Sequence, residues 1–176
     1  MMQGIAEAVQ RVKVVLQRHP HIALQDDTPG TAHWQHGLRV VARHPNGVQV
    51  LTDMPTEIGG SGDKVTPGWL FRAGAASCLA TSIAMNAAAE GIVLSVLEVS
   101  LHSRTDARGL LGMLDDDGEP VFAGPRDMHW RIRIDAHDVA PDRLRDLVER
   151  SRRCSPMACA MESALCAGVH IEANAT

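Results

Sequence analysis

Two of the four cysteines, Cys78 and Cys154, lie in sequence contexts that suit thiol chemistry. Small residues surround Cys78 in the segment Arg72-Ala-Gly-Ala-Ala-Ser-Cys-Leu-Ala-Thr, so a second backbone or a small substrate can approach it closely. Cys154 follows two arginines and precedes Ser155-Pro156, which resembles a helix start. Free N–H groups at a helix start and nearby cations both stabilise a thiolate, the reactive form of cysteine.

Each cysteine also has a purely structural interpretation. A cysteine in an Ala-rich helix is commonly an inert core residue, and an exposed one at a helix junction can have no role. Cys159 and Cys166 lie among Ala, Met and Leu, and we expect both to pack in the interior. A zinc site is the weaker alternative, because the nine histidines and four cysteines form no CxxC or HExxH pattern.

Composition narrows the class of protein. A chain of 176 residues is long enough for one domain with a core of its own. The net charge of −4 and the pI near 6.1 argue against nucleic-acid binding, since little of the surface could neutralise phosphates. The sequence contains neither a membrane-length apolar run nor a signal-peptide core, so we expect a cytoplasmic protein with reduced thiols.

The first third of the chain is predicted to form one helix and then a β-rich segment. Apolar residues recur at helical spacing over residues 4–18, and Pro20 ends the helix. Within residues 21–54, apolar and polar residues alternate on both sides of Pro45-Asn46-Gly47, which is the pattern of a β-hairpin. Three glycines between Pro55 and Pro67 then indicate a loop with unusual backbone angles.

The strongest helix signal follows that loop. Thr66 suits the N-cap and Pro67 the first helical position, and Gly91 suits the C-terminal end. Residues 68–90 are apolar on nearly every side, which is typical of a buried helix, so we expect this one at the centre of the domain.

The remaining residues alternate between strand and helix patterns. Strands are predicted over residues 92–104, 128–134 and 168–172. Helices are predicted from Pro141 to Arg153 and from Pro156 to Leu165. This order lacks the alternation of βαβ units and predicts an α+β domain.

Several motifs, in order and spacing, resemble the OsmC/Ohr family. Glu57-Ile58-Gly59-Gly60, followed by Pro67, Leu70-Phe71 and the segment 73–78, resembles the family's run from a Glu-x-Gly-Gly loop into the helix that carries its peroxidatic cysteine. Gly91-Ile92 and residues 99–112 resemble its next β segment. Cys154-Ser155-Pro156 resembles the site of its second cysteine, and the resemblance covers about residues 31–172.

This resemblance implies an OsmC-like fold, an intertwined homodimer with antiparallel sheets around long buried helices and active sites at the subunit interface. By the same resemblance, Cys78 attacks a hydroperoxide while Glu57 and an arginine hold and activate the thiolate. Cys154 then resolves the sulfenic acid as an intramolecular disulfide. The expected substrates are organic hydroperoxides and the expected reductant is a dithiol such as a lipoyl group. No cofactor, metal, nucleic acid or membrane partner is expected.

The sequence departs from the family pattern in three places. Arg39 and Arg43 both match the family's arginine and share a strand face, and the turn after Gly37 favours Arg39. Cys-Ser-Pro replaces the more usual Cys-Pro, which is expected to shift Cys154 by one residue and to weaken resolution. Residues 1–20 are expected to form a helical extension of a single domain, residues 21–176.

The peroxidase hypothesis has one main competitor. A redox-sensing or small-ligand-binding protein of the same fold would hold the same cysteines without catalytic turnover. The two differ in turnover, because the competitor predicts stoichiometric oxidation without catalytic peroxide consumption. For the enzyme, an apolar pocket lined by Trp69, Leu70 or Met157 would favour an alkyl peroxide over hydrogen peroxide.

Overall fold

The computed structural model describes residues 2–163 and 167–173, and these form an α+β fold with two antiparallel sheets, which confirms the predicted class. The helices are α1 (Met2–Arg18), α2 (Pro67–Ala89), α3 (Ala107–Leu110), α4 (Pro141–Arg153) and α5 (Pro156–Glu162). The strands are β1 (Thr31–His36), β2 (Arg39–Arg43), β3 (Gln49–Thr52), β4 (Leu94–Arg104) and β5 (Arg126–Ala136).

The N-terminal sheet contains the predicted hairpin and one further strand. β2 and β3 pair around the Pro45-Asn46-Gly47 turn, and Gly47 has the positive φ of 93° that such a turn requires. β1 pairs with the other edge of β2, so the order is β1-β2-β3. Val41, at the centre of β2, is buried, whereas Arg39 and Arg43 flank it on the same face of the strand.

The Gly-rich loop has the unusual backbone that its composition predicts. Gly59 and Gly62 have φ values of 89° and 68°. At Gly60 the reason for glycine is space, because a Cβ atom there would lie 1.8 Å from the carbonyl oxygen of Met54. The loop therefore returns tightly against the end of β3.

α2 begins as predicted and packs against β4, α1, α4 and α5. The Thr66 hydroxyl accepts a hydrogen bond from the Trp69 N–H, which confirms the predicted N-cap. Leu79, Ile83 and Ala87 form one buried stripe at four-residue spacing. This stripe packs against α4 and against partly buried side chains of β4 and β5. The core therefore lies between α2, α4 and the sheet of β4 and β5.

The pairing of β4 with β5 confirms the alternation predicted for both strands. Leu97, Val99 and Leu101 lie opposite apolar residues of β5, and this face of the sheet packs on α2. The other face carries polar residues and is solvated.

Two sequence expectations for the C-terminal half are wrong, namely the strand over residues 168–172 and the continuation of the last helix past Glu162. The short helix α3 was missed. Residues 168–172 form no strand within the described range 167–173, because they make no ladder with either sheet. β4 ends at Arg104, and the short helix α3 follows it because the Asp106 side chain caps the Arg108 N–H. α5 ends at Glu162, and Leu165 and Cys166 lie outside the described residues.

Candidate functional site

Cys78 lies on α2 and faces the junction between α4 and α5. Its side chain is partly buried. The Ser155 hydroxyl donates a hydrogen bond to the Cys78 Sγ atom at 3.4 Å, within the range for a bond to sulfur. Ser155 is fully buried and occupies the N-cap position of α5, but its side chain makes no capping bond. Its hydroxyl therefore serves the sulfur and not the helix terminus.

A second polar contact fixes α2 against the same junction. Asn86, two turns after Cys78, donates from Nδ2 to the Ser151 hydroxyl at 3.0 Å. Ser151 is fully buried in the last turn of α4 and donates to the Leu147 carbonyl at 2.7 Å. Because a buried polar group without a hydrogen bond is costly, these contacts favour one register between α2 and α4.

Cys78 and Cys154 line one cavity of about 410 Å³, which we call the thiol cavity. Its lining residues are Cys78, Thr81, Ser82, Met85, Asn86, Cys154 and Pro156. None of these side chains is charged, so the cavity itself supplies hydroxyl, amide and thiol groups only. Cys78 and Cys154 are thus brought together, although the Cys154 side chain is exposed whereas Cys78 is partly buried.

Cys154 is the C-cap residue of α4, and its N–H bonds back to Ser151 and Arg152. The C-terminal end of a helix carries partial negative charge, which disfavours a thiolate. Arg152, the neighbouring cation, is engaged by Glu149 and Glu162, and hydrogen bonds to Glu162 and then Glu149 raise the pKa of Arg152 above its ordinary value. The local environment of Cys154 is therefore less cationic than the sequence suggests.

The other described cysteine, Cys159, lies outside the thiol cavity. Cys159 is exposed, not packed as expected, and its thiol donates to the Arg153 carbonyl at 3.3 Å. Among residues 2–163 and 167–173, no group of three or more His, Cys, Asp or Glu side chains is arranged to hold a metal ion.

Arg39 lies at the centre of a charged cluster that connects β2 to the Gly-rich loop. It donates to the buried Asp53 carboxylate from Nε at 3.2 Å and from Nη2 at 2.8 Å, and it also contacts Ser61 and Asp63. Hydrogen bonds from Ser61, and then from Arg39, hold the pKa of Asp53 far below its ordinary value. For Asp63 the main cause is again Ser61, and its pKa falls to about 2.

This cluster predicts a specific loss of stability in acid. Both carboxylates bind protons less readily in the folded chain than in the unfolded one, so their stabilisation is complete above the ordinary aspartate pKa of about 3.9. It is lost as the pH falls towards the folded value of about 2 for Asp63. We expect the melting temperature to fall over this range, and to fall less steeply in Asp63→Asn, as measured by circular dichroism.

The control for that experiment is Asp116→Asn, because Asp116 is exposed in the turn between α3 and β5. It should keep the acid dependence of the unsubstituted protein. An Asp63→Asn variant with an unchanged acid dependence would show that the Asp63 carboxylate contributes nothing to this loss of stability.

Glu57 and the two candidate arginines do not line the thiol cavity within one chain. Glu57 is exposed in a short 3-10 turn, and the Thr56 hydroxyl donates to its carboxylate at 3.3 Å. Arg43 is exposed at the end of β2. Arg39 contacts Asp53, as described above, and the two carboxylates of its cluster are the partners that sequence analysis missed. An Asp at the end of β3 and another in the following loop were the available signal.

A larger apolar cavity of about 740 Å³ lies between the first sheet, the start of α2 and α5. Leu70 and Met157 line it, as the sequence suggested, whereas Trp69 does not. Gly74 and Ala75, one turn before Cys78, form part of its wall. The described lining contains no charged side chain, so this cavity suits an apolar group of a ligand.

Comparison with known proteins agrees with this geometry. The sequence model for the OsmC-like protein family matches residues 60–169. No curated protein matches the chain significantly. Among the described residues, no helix combines the length and apolarity needed to cross a membrane.

Solved structures similar to this one carry OsmC and hydroperoxide-resistance names. An organic hydroperoxide resistance protein OsmC from Legionella pneumophila is 19% identical, with 78% of this chain and 90% of that chain covered and a TM-score of 0.56. An OsmC-like protein from Mycoplasma pneumoniae is 14% identical, with coverage of 80% and 91% and a TM-score of 0.66. An organic hydroperoxide resistance protein of Bacillus subtilis is 17% identical, with coverage of 77% and 92% and a TM-score of 0.50.

Identities this low establish the shared fold alone, whereas the family model covers more than half of the chain. The chain belongs to the OsmC-like protein family.

Proposed function

We propose that this protein is a thiol-dependent peroxidase that reduces organic hydroperoxides through Cys78 and Cys154. The observation that carries the proposal is the thiol cavity, which both cysteines line. The hydroxyl of Ser155 on the Cys78 sulfur adds a polar contact at the atom that would react. The names of the similar solved proteins are consistent with this chemistry.

The proposed reaction has three balanced steps. The Cys78 thiolate attacks the terminal oxygen of the hydroperoxide, so that an S–O bond forms, the O–O bond breaks, and the departing alkoxide takes a proton from water to become an alcohol. The Cys154 thiol then attacks the sulfenic acid, which forms a disulfide and releases water. An external dithiol, such as a lipoyl group, reduces this disulfide by exchange and leaves as a cyclic disulfide.

The apolar cavity supports an organic substrate. Its wall includes Gly74 and Ala75 of α2, and Met157 and Ala160 extend it along α5. The helix α2 and the start of α5 also contribute to the thiol cavity, through Cys78 and Pro156. The transfer of an alkyl group from water into the apolar cavity would be favourable, whereas hydrogen peroxide has no apolar group to bury there.

We further propose that two chains associate into a homodimer, which completes the site. Trp69 and Phe71 on α2 are each 49% exposed in one chain, and Met85 is 43% exposed. Such residues on one long helix favour an interface.

In the dimer, Arg39 and Glu57 of one chain would act on Cys78 of the other. The hydrogen bonds of Arg39 within its chain use Nε and Nη2, so Nη1 remains the atom to approach a thiolate. Light scattering should give twice the chain mass, and a monomer would contradict this arrangement.

The N-terminal extension, residues 1–20, is proposed to be an addition to a single domain of residues 21–176. α1 packs on α2, and Ile5 and Val9 of α1 line one cavity together with Met85 of α2. Met85 also lines the thiol cavity, so the extension supports one edge of the site.

One experiment tests the peroxidase proposal directly. The reduced protein is treated with one equivalent of cumene hydroperoxide, its thiols are mapped by peptide mass spectrometry, and dihydrolipoamide is then added. We expect a disulfide between Cys78 and Cys154 within seconds, its reversal by the dithiol, and continued peroxide consumption when both reagents are in excess. Oxidation without repeated turnover would instead identify a redox sensor, and free thiols after minutes would leave a ligand-binding role.

A further inference from the structure

The Cys78 sulfur has a buried hydroxyl donor that the sequence does not assign to it. Ser155 precedes Pro156 at a helix start, where a serine side chain normally accepts a bond from a backbone N–H. In the structure it makes no such bond and donates to Cys78 Sγ at 3.4 Å. Its exposed fraction is 0%, so water does not compete for the hydroxyl.

We infer that Ser155 is a catalytic residue whose hydroxyl stabilises the thiolate of Cys78. This inference rests on the proposed function, because it concerns the nucleophile of that reaction. A hydrogen bond to an ionised acceptor is roughly twice as strong as one between neutral groups. A fixed O–H dipole therefore favours the thiolate over the thiol, and the effect is larger in a buried setting than in water.

The surroundings hold the hydroxyl in place before the sulfur ionises. The Ser155 N–H donates to the Arg152 carbonyl at 3.2 Å, and the Ser155 carbonyl accepts from the Cys159 N–H at 2.9 Å. Cys78 lies within α2, which packs against β4, α4 and α5. Both ends of the contact therefore belong to packed elements, and little conformational freedom is lost when the thiolate forms.

The composition of the thiol cavity makes this donor important. Its described lining contains no arginine, lysine or histidine, and Arg39 is held by Asp53 elsewhere in the chain. Among the described residues of one chain, the hydroxyl of Ser155 is the polar group that bonds directly to the Cys78 sulfur. It would act together with a cation only where a second chain brings one.

The test compares Ser155→Ala with Ser151→Ala. Both remove a fully buried hydroxyl from the same junction, but the Ser151 hydroxyl bonds to Leu147 and Asn86 and not to Cys78. The alkylation rate of Cys78 by iodoacetamide is followed by peptide mass spectrometry across a range of pH. For Ser155→Ala we expect the midpoint of this profile to move up by roughly half to one pH unit, because the shift reflects only the difference between the bond to the thiolate and the weaker bond to the thiol.

Ser151→Ala is expected to keep the midpoint of the unsubstituted protein even if it is less stable. A Ser155→Ala variant that also keeps that midpoint would overturn the inference. Because alkylation needs no peroxide, this readout is independent of turnover. A protein that consumes no peroxide but shows the shifted profile would overturn the proposed function and retain the role of Ser155.

A second variant tests the contact itself should Ser155→Ala fail to fold. In Ser155→Cys combined with Cys154→Ser, the new thiol lies where the hydroxyl now contacts Cys78. Diamide, which accepts the two thiol hydrogens, should form a disulfide between Cys78 and position 155. A product with both thiols still free after prolonged diamide treatment would show that the two side chains do not meet and would overturn the inference.

Discussion

Cys78→Ser is expected to abolish the consumption of organic hydroperoxide. A serine hydroxyl is not ionised near neutral pH, so it cannot replace the thiolate that the proposed reaction requires as its nucleophile. Loss of a nucleophile commonly costs at least about a thousandfold in rate, and we expect a loss of that size. The measurement is the rate of cumene hydroperoxide consumption in the presence of excess dihydrolipoamide.

The matched control for this variant is Cys159→Ser. Cys159 lies on α5, is exposed, and does not line the thiol cavity. Its replacement should leave the rate unchanged, which would exclude a general effect of removing one thiol. If Cys78→Ser retained the rate while Cys159→Ser lost it, the nucleophile would be Cys159 and the proposed site would be wrong.

Cys154→Ser is expected to separate the first oxidation from repeated turnover. The Cys78 thiolate remains, so one equivalent of peroxide should still be consumed rapidly and the sulfenic acid should be trapped by dimedone. Without the second thiol the sulfenic acid persists, and excess peroxide converts it to the irreversible sulfinic acid. We expect the steady-state rate with dihydrolipoamide to fall by about tenfold or more, because resolution must then come from solution.

This second prediction depends on the geometry of the Cys-Ser-Pro segment. Ser155 takes the position in contact with the Cys78 sulfur, whereas the Cys154 side chain is exposed on the same cavity. A disulfide between Cys78 and Cys154 therefore requires rearrangement at the start of α5. A Cys154→Ser variant with full steady-state turnover would show that an external thiol resolves the sulfenic acid in the unsubstituted protein as well.

Elements whose signals are local were predicted well. Thr66 and Pro67 begin α2 because an N-cap and a first-turn proline act within a few residues. The hairpin of β2 and β3 and the alternation along β4 follow from the period of a strand and from one tight turn. The same signals failed for residues 168–172, because a strand needs a partner ladder and none of the described strands pairs with them.

The same distinction between local signals and long-range contacts applies to the candidate site. The sequence by itself determined that Cys78 lies on a helix of small residues and that Cys154 lies at a helix junction, since both depend on neighbouring residues. It also carried the family resemblance, which the match over residues 60–169 confirms.

Only the tertiary structure decided which side chains meet. Ser155 contacts Cys78 across 77 positions of sequence, and Arg39 meets Asp53 and Asp63 across 14 and 24 positions. Such contacts depend on how helices and sheets pack. From the sequence alone, the expected partner of a serine hydroxyl at a helix start is a backbone N–H of the first helical turn. The packing of the helices places the Ser155 hydroxyl against the Cys78 sulfur, and the packing of the loop on the sheet places two carboxylates around Arg39. Neither contact can be read from the periodicity or spacing of residues in the sequence.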